Sequence, residues 1–214
     1  REPIAFDIAS GTCGENVTWT LNSVGVLTIN GSGAMFDYET RNAPWQDYKD
    51  MVKKVVIGAD ITYIGKFNFM QCRNLAKVVF EGNAVETIGW GAFGYCSALT
   101  EITIPASVKT LDAYAFYYNT SLETVAFEAN SELTTIGMYA FWNDSALNSV
   151  YIPDKVTSIG ENGFLGCMNT ATFYVAAGTY ANDYFKKCTI VTREPIAFDI
   201  ASGTCGENVT WTLN

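Results

Sequence analysis

The sequence contains no histidine. This absence excludes Ser-His-Asp and Cys-His catalysis and the common zinc sites, all of which need an imidazole. The sequence also has no Cys-x-x-Cys pair, no glycine-rich phosphate loop of a standard form and no EF-hand calcium loop. We therefore expect a protein that is not an enzyme and that has no cofactor and no metal site.

Charge is scarce and mostly negative. Charged residues make up 16% of the chain, and 13 Lys and Arg stand against 22 Asp and Glu, for a net charge of −9. Nucleic-acid binding needs a basic face, which the sequence does not offer. No apolar run approaches the roughly 20 residues of a membrane span. We therefore expect neither a nucleic-acid partner nor a membrane span. We expect acids such as Glu123, Glu128 and Asp144 to be solvated or to lie in turns.

What the sequence does contain is an internal repeat of 23 to 25 residues, in five units. The units follow the pattern V-x-x-I-G-x-x-A-F-x-x-C-x-x-L-x-x-V-x-I-P and begin at Ile61, Val85, Val108, Leu133 and Val156. Each unit carries a phenylalanine at one fixed place: Phe69, Phe93, Phe116, Phe141 and Phe164. A period of this length indicates a solenoid, in which stacked units bury a face that no single unit can cover.

Each unit predicts two short strands and a short helix. The V-x-I stretch alternates with period two, as in a half-buried strand, and a second short strand precedes the glycine. In the A-F-x-x-C-x-x-L stretch the apolar residues lie three and four apart, which is typical of one or two helical turns. The predicted fold class is therefore an α/β solenoid.

The repeat pattern resembles the BspA-like family of bacterial surface leucine-rich repeats. The resemblance covers residues 61 to about 179 through five consecutive units. It implies a right-handed superhelix on a secreted or surface-anchored bacterial protein that is used for adhesion or partner binding. It implies no catalytic residue.

The chain divides into four predicted regions. Residues 1–60 form an N-terminal cap, with a β-hairpin of strands 17–21 and 26–30, a short helix at 45–52 and a strand at 54–57. The five repeats follow at 61–179. A C-terminal cap covers 180–192, with a helical turn at 180–187 and a strand at 189–192.

The fourth region, residues 193–214, is identical to residues 1–22. This identity predicts the start of a following module. It repeats one strand of the hairpin without the other, and a lone strand leaves backbone groups unpaired. We expect the segment to dock on the last units or on a neighbouring chain, through a junction formed by Val209, Trp211, Leu213, Cys188 and Cys205.

The cysteines fall into two groups. Cys72, Cys96 and Cys167 share one repeat position, so we expect buried, reduced thiols; a Cys72–Cys96 disulfide is the alternative. Cys13 and Cys188 belong to opposite ends of the stack, too far apart to pair within one module. A Cys188–Cys205 bond would join the end of one module to the start of the next, and the sequence leaves it open whether that bond forms.

Aromatic residues concentrate beside the repeated phenylalanine in three adjacent units. They are Trp90, Tyr95, Tyr114, Tyr117, Tyr118, Tyr139 and Trp142. Stacking of the units gathers them into one stripe, and such clusters are typical of binding surfaces. The alternative is that several of these rings pack between turns and show only an edge or a hydroxyl to water.

Two functional hypotheses follow. The first is a non-enzymatic extracellular module that joins other copies of itself in a tandem array or head-to-tail filament. The second is an adhesin or ligand-binding domain that recognises a host surface protein or glycan through the aromatic stripe.

Overall fold

A computed structural model describes residues 4–40, 42–167 and 171–186. These residues form a β-solenoid of about five turns with little helix. The strands are β1 (Asp7–Thr12), β2 (Val17–Asn22), β3 (Val26–Ala34), β4 (Lys54–Ile57), β5 (Asp60–Ile64), β6 (Lys77–Phe80), β7 (Thr87–Ile88), β8 (Glu101–Ile104), β9 (Thr110–Leu111), β10 (Thr124–Phe127), β11 (Thr135–Ile136), β12 (Ser149–Tyr151), β13 (Ser158–Ile159) and β14 (Thr172–Tyr174).

The front of the solenoid is antiparallel. β2 pairs with β3 in the register Val17↔Gly31 to Leu21↔Leu27, so the predicted hairpin is present and longer than expected. β1 adds a third antiparallel strand that sequence reasoning did not predict. β3 then runs parallel to both β4 and β5 and so connects the hairpin to the repeats.

Two parallel ladders run through the repeats. One joins β5, β7, β9, β11 and β13, and the other joins β8, β10, β12 and β14. In the first ladder the aliphatic residue of each unit lies in register with the next, from Ile64 and Ile88 to Ile159. Both predicted strands of each unit are therefore confirmed.

The predicted helix is wrong, because the residues between the two strands form consecutive turns. Every second backbone N–H group in this stretch forms its hydrogen bond with the next unit. The N–H groups of Phe67 and Phe69 donate to the carbonyls of Trp90 and Ala92, at 3.0 and 2.8 Å. The intervening N–H groups donate three residues back, as Met70 does to Phe67. The spacing of the apolar residues is the same in both arrangements, so it did not distinguish a helix from these turns.

The repeated phenylalanines form a continuous buried stack. Successive rings from Phe69 to Phe164 lie 5.0, 5.4, 5.4 and 5.1 Å apart between centroids, and their planes differ by 4 to 16°. Trp45 covers the front of this stack at 5.4 Å from Phe69, and Phe185 covers its back at 5.6 Å from Phe164. The stack is the centre of the hydrophobic core.

Two short helices flank the repeats where the sequence predicted helical turns. A 3-10 helix spans Gln46–Met51, and α1 spans Tyr180–Lys186. The predicted strand at 189–192 and the copy at 193–214 lie outside the described residues. Within the described ranges, no helix is long and apolar enough to cross a membrane. The handedness of the superhelix stays a prediction.

Candidate functional site

All seven aromatic residues singled out in the sequence meet in one group of contacting rings, here called the aromatic cluster. Phe67 extends it into the first unit, with its ring centroid 4.6 Å from that of Trp90. The other contacts are Trp90–Tyr114 at 4.9 Å, Tyr114–Tyr139 at 5.1 Å, Tyr95–Tyr117 at 4.8 Å, Tyr95–Tyr118 at 5.0 Å, Tyr118–Trp142 at 5.5 Å and Tyr139–Trp142 at 5.3 Å.

Sequence reasoning missed two members, Phe67 and Met70, which pack in the same cluster. A signal was available, because Phe67 holds the repeat position of Tyr114 and Met70 that of Tyr117. Aligning the units at these positions would have found both.

The backbone under the cluster is left-handed at two places in every unit. The residues with positive φ are Phe67, Gly91, Tyr114, Tyr139 and Asn162 at the first place, and Gln71, Tyr95, Tyr118, Asn143 and Gly166 at the second. The N–H groups of these residues bond to the next unit where one follows, as in the 2.8 Å bond from Tyr118 to the carbonyl of Trp142. Glycine and asparagine adopt it at little cost, whereas a bulky side chain is strained.

Burial differs within the cluster. Tyr117 is only 9% exposed, and the other six rings of the predicted stripe are half-buried. The ring of Tyr117 lies over Gly94, where an added Cβ would come within 2.4 Å of it. Burial raises the pKa of Tyr117, and the neighbouring Tyr95 hydroxyl raises it further. One residue of the stripe thus packs between turns, in line with the alternative reading, while the rest reach the surface.

The rings meet mainly edge to face. The planes of Phe67 and Trp90 differ by 81°, and those of Tyr118 and Trp142 by 89°. Lys66 adds a cation, with its Nζ atom 5.2 Å from the ring centre of Phe67 and 5.7 Å from that of Trp90. In each edge-to-face pair, one ring face is covered by the neighbouring edge, and the Lys66 ammonium group lies over the rings of Phe67 and Trp90. The cluster therefore forms an irregular surface of closely packed rings with tyrosine hydroxyls along it.

Below the cluster, the position of the repeated cysteine forms a buried polar ladder of Cys72, Cys96, Asn119, Asp144 and Cys167. The backbone N–H of Cys96 donates to Asn119 Oδ1 at 2.7 Å, and that of Asn119 donates to Asp144 Oδ1 at 2.8 Å. Asp144 was expected to be solvated or to lie in a turn. The first alternative is wrong, because its side chain is fully buried, and the residue lies directly after turn residues 141–143. Glu123 and Glu128 are exposed as expected.

The ladder position requires a hydrogen-bond donor. The Cys167 thiol donates to the Phe141 carbonyl at 2.8 Å, and the Asn119 amide donates to that of Phe116 at 2.6 Å. Asp144 Oδ2 is buried without a partner. Burial raises the pKa of Asp144 well above its ordinary value, and the Asn119 N–H lowers it only in part. A protonated carboxyl would supply the donor that the other units provide.

The described cysteines, Cys13, Cys72, Cys96 and Cys167, are buried thiols outside any disulfide. The prediction of reduced thiols is confirmed for the repeat position, and the alternative Cys72–Cys96 disulfide is wrong. Burial raises the pKa of Cys13 and of Cys72 to about 12, which makes both thiols unreactive. Within the described ranges, no group of three or more cysteine or acidic side chains could hold a metal ion.

The predicted junction residues Val209, Trp211, Leu213, Cys188 and Cys205 lie outside the described part of the chain. The counterparts of Val209, Trp211, Leu213 and Cys205 in the first copy are described. Val17, Trp19, Leu21 and Cys13 are all buried at the front of the solenoid.

A stack of short parallel strands with a 23-to-25-residue period and one repeated ring per turn defines a leucine-rich repeat protein. The profile of the BspA type leucine-rich repeat region matches residues 47–192 in six copies. The chain therefore belongs to the BspA-type leucine-rich repeat family.

Solved structures agree with this assignment. A leucine-rich repeat protein from Eubacterium ventriosum is 31% identical with a TM-score of 0.64, and the match covers 79% of this chain and 45% of that one. The pneumococcal vaccine antigen PcpA shares the fold at 21% identity and a TM-score of 0.57, over 79% of this chain and 50% of that one. The chain thus spans half the length of these proteins or less. No curated protein matches it.

Proposed function

We propose that this chain is a non-enzymatic, extracellular module of a bacterial surface protein and that its aromatic cluster binds a partner protein. The family supports a place among bacterial leucine-rich repeat proteins. The lack of histidine and of recognisable catalytic motifs in the sequence supports a binding role. The low content of Lys and Arg is typical of an exported protein.

The observation that carries this proposal is the strained backbone under the rings. Of the ten left-handed positions, five hold Phe67, Tyr95, Tyr114, Tyr118 or Tyr139, four hold glycine or asparagine, and one holds Gln71. A left-handed conformation costs an ordinary residue roughly 1–2 kcal/mol. Strain of this kind concentrates at functional sites. Four of these rings, all but Phe67, are partly exposed. Rings that are retained at a cost and reach the surface support a role in contact with a partner.

The ring geometry favours a protein over a glycan as that partner. Stacking on a sugar needs an open ring face, whereas these faces are partly covered by neighbouring edges. Ring edges and hydroxyl groups on an irregular surface suit a shape-complementary contact with a protein. Tyr and Trp are among the commonest hot-spot residues of such contacts. The rings are also held by their neighbours, so little side-chain entropy is left to lose on binding.

A second candidate role is the tandem array or head-to-tail filament, in which the partners are copies of the same module. Two observations favour it. Residues 193–214 repeat residues 1–22 without a change. The front of the solenoid also exposes two apolar side chains beside β1, Ile4 at 89% and Phe6 at 64%. Such side chains suit a contact with another module.

The test of the binding role uses substitutions that sister units already carry. Trp90→Ala reproduces Ala113, and Trp142→Leu reproduces Leu165 at the equivalent positions. We expect the wild type to bind at least one protein on an array of purified host secreted and surface proteins. The double variant should lose at least about tenfold in that affinity, because hot-spot truncations cost 2 kcal/mol or more.

The control removes side chains from the strand face of two units that carry the aromatic cluster. Thr103 and Thr124 are exposed there, so a Thr103→Ala/Thr124→Ala variant should bind as the wild type does. A glycan array run in parallel separates the two partner classes. Binding that survives in the Trp90/Trp142 variant, or a wild type that binds only glycans, would contradict the proposal.

A further inference from the structure

Positive charge is concentrated at the front of the repeats. Residues 45–77 hold six of the 13 Lys and Arg of the chain and only three acids. Residues 78–165 hold ten acids and two lysines, Lys109 and Lys155, and each of these lysines is ion-paired with a glutamate. One part of the solenoid is therefore basic, although the chain as a whole is acidic.

Five of these six cations come together on two neighbouring turns of the solenoid. Lys54 in β4 lies in register with Lys77 in β6, which runs parallel to it. The N–H of Ala76 donates to the carbonyl of Lys53 at 2.9 Å, so Lys53 lies beside them. Lys49 and Arg73 line one cleft. All five side chains are exposed or half-buried. We call them the basic patch; its members are Lys49, Lys53, Lys54, Arg73 and Lys77.

Sequence reasoning found no basic cluster, because only Lys53 and Lys54 are adjacent in the chain. The patch is small. Neighbouring strands lie about 4.8 Å apart, so two turns span about 10 Å, and residues 73–77 extend at most about 13 Å in the strand direction. In the next unit Glu101 holds the position of Lys77. A ligand of the patch must therefore be narrow, because a broad anionic partner would also meet the acidic units.

The cleft at one end of the patch has an entirely polar lining. Its volume is about 350 Å³, within the size range of small-ligand sites, and it is lined by Gln46, Lys49, Asp50, Gln71 and Arg73. Lys49 Nζ donates to the Asp50 carboxylate at 3.4 Å, and the Arg73 guanidinium and the two amides supply further donors beside this pair. Hydroxyl and anionic groups of a sugar suit such a lining.

Two other anionic polymers suit the patch less well. An acidic peptide has no room to add as a strand, because β4 is hydrogen-bonded to both β3 and β6, and β8 follows β6 in the stack. A DNA duplex is too broad, since its major groove alone is about 12 Å wide. It would lie over the acidic units as well as over the patch.

We propose that the basic patch binds a strongly sulfated polysaccharide, with one sugar residue in the cleft and sulfate groups on the neighbouring lysines. Five cations in so small an area match a polymer that carries several charges on each short segment. The chain crosses the solenoid in the strand direction and so avoids the acidic units. This site is separate from the aromatic cluster and goes beyond the protein-binding role proposed for it.

The experiment uses heparin as the probe and substitutions that the next unit already carries. Arg73→Ser reproduces Ser97, and Lys77→Glu reproduces Glu101. The full chain is measured against immobilised heparin at several NaCl concentrations. The wild type should bind, and the double variant should lose at least about tenfold in affinity at physiological salt. The slope of log affinity against log salt should become shallower by about two, because each contacting cation contributes about one.

The control makes the same change in charge outside the patch. Lys109→Thr reproduces Thr134, and Lys155→Glu reproduces Glu132 at the equivalent positions. Both lysines form exposed ion pairs, which add little to stability. Charges this far from the patch are screened, so the control should bind heparin within about twofold of the wild type. The Trp90→Ala/Trp142→Leu variant should do the same.

A second variant keeps the test independent of how one variant folds. Lys53→Gln/Lys54→Gln leaves the first repeat unchanged and should also lose affinity for heparin. Circular dichroism of every variant checks that the fold is kept.

Several results would overturn the proposal. They are a wild type that does not bind heparin, an equal loss in the Arg73/Lys77 variant and the control, and affinity for hyaluronate, poly-glutamate or duplex DNA equal to that for heparin. A loss in the Trp90/Trp142 variant would also overturn it, because the two sites would then be one. The first three results leave the protein-binding role of the aromatic cluster untouched, since that role is tested on a protein array.

Discussion

Two sets of aromatic rings stand on the same turns of the solenoid and differ in almost every physical respect. The buried stack from Phe69 to Phe164 has one ring per unit, nearly parallel and fully enclosed. The aromatic cluster has up to three rings per unit, at varied angles, and all of its rings but Phe67 and Tyr117 are partly exposed. The buried rings lie one to three residues from the cluster rings along the chain.

The difference distinguishes rings that the fold requires from rings that it can lose. A buried ring that recurs in every unit fills the same space in each turn, so its loss would open a cavity. The cluster rings occupy positions where other units have Gly91, Asn143, Asn162 or Gly166 without loss of the fold. The first set holds the solenoid together, and the second is available for binding.

The largest expected effect comes from breaking the buried stack. Phe116→Ala removes a ring that lies 5.4 Å from both Phe93 and Phe141. The cavity and the lost contacts should lower the free energy of unfolding by about 3–5 kcal/mol. Urea unfolding followed by circular dichroism measures it. A loss below about 1 kcal/mol would show that the stack is not the centre of the core.

The buried acid Asp144 should make stability depend on pH. Its folded pKa is raised above the unfolded value, so its stabilising effect is complete at low pH and falls as pH rises toward the folded pKa. Asp144→Asn keeps a donor, as Asn119 does in the unit before. The variant should match the wild type near pH 4 and exceed it at pH 7, with the gap growing by at most about 1.4 kcal/mol per pH unit.

Urea unfolding of both proteins from pH 4 to pH 8 measures this gap. The opposite sign, with the wild type gaining on the variant as pH rises, would show that the carboxylate is stabilised in its charged form. A constant difference across the range would show that Asp144 does not titrate there.

Substitutions at two glycines test whether the cluster depends on the packing of Tyr117 over Gly94. Gly94→Ala puts a methyl group 2.4 Å from the Tyr117 ring, so it should cost about 1–3 kcal/mol and displace that ring. Gly163→Ala is the matched control, because its Cβ is no closer than 3.1 Å to a neighbour and three sister units hold Ala92, Ala115 and Ala140. The control should gain up to about 1 kcal/mol. Equal changes in the free energy of unfolding of the two variants would contradict the packing of Tyr117 over Gly94.

Features that recur in every unit could be predicted from the sequence. The phenylalanine stack and the paired strands repeat in register, and the strand Lys54–Ile57 has the same apolar pattern as its neighbours. The helix was predicted wrongly because apolar residues three and four apart also suit turns whose N–H groups bond to the next unit. β1 was missed because its sequence, DIASGT, has almost no apolar alternation.

The candidate site was predictable in membership but not in geometry. The seven aromatic residues are conspicuous as a group, and they do meet. Left-handed tyrosines cannot be read from sequence, because that conformation is imposed by hydrogen bonds between units. The burial of Asp144 runs against the usual behaviour of a carboxylate, and its place in the ladder, where the Asn119 N–H donates to it, accounts for it.

The central claim is that the half-exposed rings are kept for contact and not for stability. Tyr118→Asn tests it most directly, because Asn143 holds the same left-handed position in the next unit, with φ 63° against 62°. We expect the free energy of unfolding to fall by about 1 kcal/mol or less, since relief of backbone strain offsets the lost ring contacts. A loss of about 3 kcal/mol or more, as for Phe116→Ala, would show that Tyr118 belongs to the core and would contradict the account.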